Sequence, residues 1–547
     1  MKEEPGRRES DGSVRSGGAE SEVAAKYLAG EMACLANTPG GGAIILGIAD
    51  DGTRIGTSLE GQWLRHRIWQ ITERKLTVAI REFDFDGTHL LVLSTHAAIE
   101  PIRYEHKIKW RVDDHCVEVD PTTWHTGRFQ EVGLDWSAQP SGHTFGDVRP
   151  AALDLARRYL GKAEDDTAKS LAMATDPDLL RRLNLVDSDG RLTNAGSLMF
   201  VATPSEGIDY IRRDVQAGDS TLRIRSQRAL IEQVWEVDQA SQAANRVIHL
   251  AAGFAQRQIR AIPAGAIREA IVNGVVHRDW AYAGPTVVEH VGDVLTVTSP
   301  GGFIGGVTSS NIITHPAVPR YRSLAEAMSA LHLAEREGIG VDRMVRDMLA
   351  IGRPQPEIVE TPGPYVRVGL VGGDPDPVII QFLSSLQPSS LAYDLDVLLL
   401  LGMLIQRGWI DAASAAPVLQ RPGAETEGAI AQLTSLSLAI QPVVEPVAGI
   451  PEGDPIAYRL SAQARRELAS RLSFSRTIDG RKNVILSWAE ARHRVSSTEA
   501  MDIAGASLPT VTNALKALEE EGRLLPGRDN RRGRNFHYLP APGLSKP

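Results

Sequence analysis

A carboxylate and a carboxamide four residues apart, Glu269 and Asn273, stand in the run Ile267-Arg268-Glu269-Ala270-Ile271-Val272-Asn273-Gly274-Val275-Val276-His277-Arg278-Asp279-Trp280. On a helix this spacing puts both on one face while Ile267, Ile271 and Val275 turn to a core. Such a carboxylate can polarise a water, and the carboxamide can help hold a magnesium ion between phosphates. The plain alternative is a solvated polar face. His277-Arg278-Asp279 also spells the start of a protein-kinase catalytic loop. That loop needs an Asn five residues past its Asp, and Gly284 stands there, so a kinase is excluded.

A second set of residues suits nucleic acid. Ser507-Leu508-Pro509 reads as a cap and first turn of a helix over Thr510–Glu521. Val511, Leu515 and Leu518 form its apolar stripe with Ile503 from the preceding helix, and Thr510, Thr512, Asn513 and Lys516 point outward. Short hydrogen-bonding side chains of this kind suit phosphates and base edges in a major groove. The following hairpin has the most basic stretch of the chain at its tip, with Arg528, Arg531, Arg532 and Arg534, able to lie along a backbone or enter a minor groove. A solvated loop on a protein-docking module is the plainer reading, but helix and basic tip together favour DNA.

Other candidate chemistry is thinner. Cys34 and Cys116 are the only cysteines, far apart and without a Cys-x-x-Cys, which argues against a disulfide framework and a zinc finger. His89, His96, His106 and His115 lack metal-ligand spacing. No Gly-x-x-x-x-Gly-Lys-Ser/Thr phosphate loop exists, so a helicase motor is excluded.

The elements that must position these residues form an α+β multidomain chain. Residues 1–18 are polar and read as a disordered lead, neither a signal nor a transit peptide. Residues 19–130 read as one α/β unit: helices over Ser21–Ala36 and Glu60–Arg74, strands over Ala43–Ile48, Leu76–Phe83 and Leu90–Ser94, and a basic, aromatic hairpin over Arg103–Val119. Residues 131–210 read as a connector with a small helix, turn and wing-like hairpin. The Glu269 unit spans 211–372, and 373–390 reads as a linker. Two helix-helix-hairpin units follow over 391–474 and 475–541, with a tail over 542–547. The loop of the first carries Glu445, Glu452 and Asp454 and no basic tip, so that unit reads as structural or dimerising.

At 547 residues the chain is long enough for three or four domains. Its net charge of −9 weakens indiscriminate nucleic-acid coating, which needs an excess of Lys and Arg, without excluding a local basic surface. No apolar run approaches the roughly 18 residues of a membrane helix, and cytoplasmic residence without membrane contact is expected.

Leu35-Ala36-Asn37-Thr38-Pro39-Gly40-Gly41, the strand Ile44–Ile48 and Asp50-Asp51-Gly52 together resemble the Schlafen-type AlbA domain. The Glu269–Asn273 helix, Ser299-Pro300-Gly301-Gly302 and Glu337-Gly338-Ile339-Gly340 resemble, in that order, the RecG-related C-terminal domain, a divergent relative of the GHKL ATP-binding fold. The resemblance runs over about Ala19 to Leu370, and the last unit resembles a winged helix-turn-helix. It implies ATP and magnesium, with Glu269 orienting water and Asn273 holding the metal. His277, Arg278, Asp279, Gly301, Gly302, Gly338 and Gly340 would stand around the nucleotide, the glycines allowing close backbone approach. One departure matters: GHKL proteins carry Asp-x-Gly-x-Gly where this chain has Thr298-Ser299-Pro300-Gly301-Gly302, so the acid that reads the adenine amine is missing. Either Arg278 and Asp279 compensate or nucleotide binding is lost.

The leading expectation is a DNA-binding transcriptional regulator with a degenerate nucleotide-sensing unit, as a homodimer. The alternative is a Schlafen-like metal-dependent nuclease, with Glu20 and Glu22 where its carboxylates would fall, although Val23-Ala24 replaces the expected Phe-Lys step and no third acid can be placed. At a helix N-terminus these acids are explained as well by the dipole. A scaffold with a dead ATPase fold is the third reading.

Overall fold

The computed structural model describes residues 2–5, 17–38, 41–49, 52–85, 87–98, 100–112, 115–119, 124, 135–203, 205–252, 255–282, 284–334, 338–528 and 536–541; for 112, 251–252, 255–257 and 473 it describes the backbone alone. It divides into a unit over Met1–Trp136 and a second over Ser137–Pro547.

In the first unit, α1 (Glu22–Asn37) starts where Ser21 accepts from the Ala24 amide, and it buries Ala24, Ala25, Leu28, Ala29 and Met32. Strands β1 (Gly42–Leu46), β2 (Ala79–Phe85) and β3 (Thr88–Thr95) form an antiparallel sheet in the order β1-β3-β2, and α2 (Gly61–Ile71) adds Leu64 and Ile68 to the same core. The expected basic hairpin is β4 (Lys109–Val112) with β5 (His115–Glu118). Asn37 explains the Ala-Asn-Thr step. Its buried carboxamide donates to the carbonyls of Ile102 and Lys109 and accepts from the Ile102 amide, and its own carbonyl accepts from the Trp124 indole. Thr38 accepts from the Arg111 amide. The motif is thus a clamp holding the end of α1 to the chain leading into the hairpin.

Two expectations are corrected here. Cys34 and Cys116, 82 residues apart, form a disulfide between the last turn of α1 and β5; separation along the chain carried no information on that approach. The lead is not wholly disordered, since Lys2 bridges Leu46 and the buried Glu4 carboxylate accepts from the Thr57 hydroxyl. Residues 6–16 and the 542–547 tail lie outside the described residues.

The second unit opens with β6 (Pro140–Thr144), α3 (Pro150–Lys162), α4 (Asp166–Ala172), α5 (Asp176–Arg182), β7 (Arg191–Thr193) and α6 (Asn194–Phe200). The Leu192-Thr193-Asn194-Ala195-Gly196 step closes a short hairpin, in which Val186 bridges Leu192 across the turn; β7 also pairs with β6, and Thr193 caps α6 by accepting from the Gly196 amide. The main sheet has β8 (Ile208–Arg213), β9 (Ser220–Arg225), β12 (Thr286–Val291), β13 (Val294–Pro300), β14 (Glu357–Thr361) and β15 (Tyr365–Val371), ordered β14-β15-β13-β12-β8-β9. Only the β8–β12 pairing is parallel. One face is packed by α7 (Leu230–Ala244), α8 (Ala264–Val276), α9 (Arg322–Ala330) and α10 (Gly340–Ala350); a separate hairpin, β10 (Val247–Ala252) and β11 (Ala255–Arg260), stands between α7 and α8. Ile267, Ile271 and Val275 are fully buried as their spacing required, each worth roughly 1.5–3 kcal/mol of burial. Leu153, Leu180 and Met199 share this core, so the expected connector is part of the same body.

The expected linker is also corrected. Residues 377–385 form α11 (Pro377–Ser385), capped by Asp376 accepting from the Val378 and Ile379 amides, with Phe382 and Leu383 buried. After β16 (Leu386–Gln387) and α12 (Ser389–Ala392) come α13 (Leu395–Arg407), α14 (Ala412–Leu419) and α15 (Gly423–Thr434), then β17 (Ser437–Leu438), β18 (Gln441–Pro442), β19 (Val444–Pro446) and β20 (Tyr458–Leu460). After α16 (Ala462–Glu467), the plan repeats in α17 (Ile478–Arg492), α18 (Ser497–Ala504), α19 (Leu508–Glu520), β21 (Leu524–Pro526) and β22 (Tyr538–Pro540). In both, a residue after the first helix, Ile410 or Val495, bridges a tyrosine of the returning strand, Tyr458 or Tyr538. The two repeats share one core, with Trp409 edge-on to Trp488 at 5.0 Å.

Candidate functional site

Helix α8 brings Glu269, Asn273 and His277 to the wall of a cavity of about 350 Å³ in the second unit. The opposite sides are the end of β13 with Gly301 and Gly302, helix α9 with Arg322, Glu326 and Ser329, and the start of α10 with Gly338 and Gly340. Asn273 Nδ2 donates to Glu269 Oε1 at 2.8 Å, which leaves the carboxamide oxygen as the atom a hard cation would take. The Glu269 carboxylate lies against Gly340, the first residue of α10, so closely that a Cβ there would collide with it. A carboxylate at a helix N-terminus is favoured by the dipole. Gly301 has φ +99°, and a Cβ would stand 2.8 Å from that of Asp279. These two glycines are required by the chain's own packing before any ligand is considered.

His277 keeps its ring open to the cavity but sits deep in protein, and desolvation followed by the neighbouring Arg320 pulls its pKa below the ordinary histidine value. It therefore faces the cavity as a neutral ring. Arg278 and Asp279 turn away from it. Arg278 is buried over the Trp280 ring at 4.3 Å and donates to the carbonyls of Gly207, Tyr282 and Gly284. Burial lowers its pKa to about 10, which leaves it charged at neutral pH. Asp279 accepts from the Tyr321 hydroxyl and the Ala281 amide. These residues fix the turn after α8, and sequence alone could not show which way they face. Sequence reading also missed Ser329, whose buried hydroxyl lines the cavity without a hydrogen-bond partner among the described residues, and Arg322, paired with Glu326 at 2.7 Å. The roof is residues 303–320, which hold no helix or strand.

Residues 285–370 match the family model described as the putative ATP-dependent DNA helicase RecG C-terminal, and residues 3–120 match the model described as Schlafen, AlbA_2. The crystal structure of the DIP2311 protein from Corynebacterium diphtheriae is 31% identical, with a TM-score of 0.66, across 99% of this chain and 94% of that one. The chain belongs to the Schlafen AlbA_2 family with a RecG-related C-terminal ATPase-like domain. No curated protein matches it. Both matched domains place it among nucleic-acid-associated proteins. The RecG-type match begins after α8, so Glu269 and Asn273 stand just ahead of the matched segment and are placed by the cavity itself.

In the AlbA_2 unit, Glu20 is exposed, and Glu22 pairs with Arg67 at 2.7 Å. Among the described residues no three His, Cys, Asp or Glu side chains converge as a metal site. On the hairpin Lys107 pairs with Glu118, Lys109 is exposed, and Trp110 and Arg111 are half-buried. No helix among the described residues is long and apolar enough to cross a membrane.

Across the C-terminal repeats, Asn513 and Lys516 of α19 are exposed and share one face; Thr510 and Thr512 are half-buried, their hydroxyls bonded to Ser507 and to the Leu508 carbonyl. Arg528 is exposed at the start of the second hairpin loop, whereas Arg531, Arg532 and Arg534 lie outside the described residues. The first hairpin is committed internally. Arg459 on β20 bonds Glu445 and Asp502, and Asp502 of α18 also accepts from the Ala448 amide.

Proposed function

We propose that the protein is a DNA-binding transcriptional regulator, a cytoplasmic homodimer, whose C-terminal repeats are winged helices and whose RecG-type cavity takes a nucleotide. The reading rests on one observation: the second repeat presents Asn513, Lys516 and Arg528 outward, while the first has its hairpin closed against its neighbour. The second repeat would enter the major groove through α19, and the first would serve as its support.

The cavity fits a nucleotide at one end. Glu269 and Asn273 face the Gly338–Gly340 turn, where Asn273 would hold magnesium and Glu269 would orient a water. The magnesium ion, when bound, supplies charge for the phosphates. At the other end the acid beside Gly301, Asp279, is bonded to the Tyr321 hydroxyl and the Ala281 amide, and the Ser329 hydroxyl, unpartnered among the described residues, is a polar group offered to a ring. A hydroxyl both donates and accepts, so base selectivity should be broad.

Fluorescence anisotropy with duplex DNA over a potassium chloride series, with and without Mg-ATP, tests the reading. Lys516→Ala should weaken binding about tenfold and flatten the salt slope by about one, and Asn273→Ala should remove any effect of Mg-ATP on that affinity. Equal affinity and slope for wild type and Lys516→Ala would sink the α19 assignment. Sedimentation of the free protein and of its DNA complex checks the homodimer.

A further inference from the structure

Three hydrogen bonds tie the roof of the cavity to one residue of the C-terminal repeats, Gln420. Gln420 ends α14 in the left-handed conformation, φ +55°, at the turn before α15. Its Oε1 accepts from the Ile313 amide at 2.8 Å, its Nε2 donates to the Ser309 carbonyl at 3.1 Å, and its own carbonyl accepts from the Thr314 hydroxyl at 2.8 Å. One glutamine therefore uses its acceptor, its donor and its backbone on a single stretch of roof. Beside these bonds Ile313 packs on the core of the repeats, whereas Ile312 before it lines the cavity.

The same turn reaches the opposite wall. Arg421 pairs with Asp396 at 3.2 Å and with Glu425 at 3.3 Å, and its charge also acts on Asp342 in the first turn of α10. Val341 in that turn lines the cavity and packs against both the ATPase-like core and the core of the repeats. The roof thus rests on Gln420, while the charge of Arg421 next to it acts on the first turn of α10.

We infer that Gln420 is the latch through which occupancy of the cavity and the state of the C-terminal repeats are coupled. The inference rests on the proposed reading of the cavity and of the repeats. A ligand that moves the roof must break or re-form the Gln420 bonds, so the turn between α14 and α15 sees that ligand. Coupling is reciprocal, so DNA on the repeats must change the roof by the same route.

The test uses the full chain and hydrogen exchange of the roof. Gln420→Ala removes both side-chain bonds at an unchanged backbone strain, and Thr314→Val removes the third bond from the other side. Without nucleotide or DNA, the roof amides over 309–314 should exchange at least tenfold faster in Gln420→Ala, with α8 and α13 unchanged. Unaltered roof exchange in both variants overturns the latch, whatever the cavity binds. In wild type, saturating duplex DNA and, separately, Mg-ATP should each change roof exchange, and the DNA effect should vanish in Gln420→Ala while DNA affinity stays within about threefold. A DNA effect that persists in the variant overturns the coupling. If wild type binds DNA but not Mg-ATP, the nucleotide reading fails while the DNA arm still decides the latch. If it binds neither, the function reading fails, and the unliganded exchange decides the latch alone.

Discussion

His290 shows how little a residue's name says about its role. It sits on β12, fully enclosed, 3.4 Å from the Tyr210 hydroxyl and close to Arg212, and burial followed by that cation lowers its pKa to about 4. The unfolded chain takes up a proton near pH 6.5 that the folded chain refuses, so stability is full above that pH and falls as pH drops toward 4. The slope approaches 1.4 kcal/mol per unit for one histidine. Urea unfolding at pH 7.5 and pH 5 should show this loss, and His290→Gln should reduce it; an unchanged pH slope in the variant would assign the loss elsewhere. At this scale the sequence was legible where a helical period governs, as for Glu269, Asn273 and Ile271. It failed at Arg278 and Asp279, because the direction of a chain leaving a helix depends on partners such as Trp280 and Tyr321 that come from its own turn and from a distant segment.

Among the elements, the α1 end and the β4–β5 hairpin are joined twice, by the Asn37–Thr38 clamp and by the Cys34–Cys116 disulfide. Closing an 82-residue separation should stabilise the first unit by a few kcal/mol. Dithiothreitol should therefore lower its melting temperature by several degrees and speed amide exchange over 109–118, with 264–276 unaffected, and Cys116→Ser should reproduce this without reductant. Equal melting of oxidised and reduced protein would show that the clamp suffices. The pairing was invisible in sequence because cysteine spacing reports proximity only in short, densely bridged chains. Helix α11 was hidden for another reason. Its Gly-Asp-Pro flank looks like a linker, yet Asp376 and Pro377 are also the residues a helix start prefers.

For the whole molecule, the two repeats share one core and should fold as one unit. Gly408 lies against the Ile503 carbonyl and Phe474, and Asp502 holds Arg459 and the Ala448 amide from the first hairpin. Residues 395–540 should unfold in a single step. Pulse proteolysis through the urea transition should give one midpoint for the two repeats, and Asp502→Ala should shift both together by about 1–3 kcal/mol; separate midpoints would show independent modules. Sequence reading found both repeats but treated them as separate, since nothing in either one's periodicity announces a surface reserved for the other.

The Trp409–Trp488 pair sits at that seam, edge to face and buried, with Trp409 Nε1 bonded to Ser487. Two indoles held at a fixed angle couple their electronic transitions, so the junction has its own chiroptical signature in the near ultraviolet. Any parting of the repeats, on DNA or on filling the cavity, would extinguish that signature in unlabelled protein.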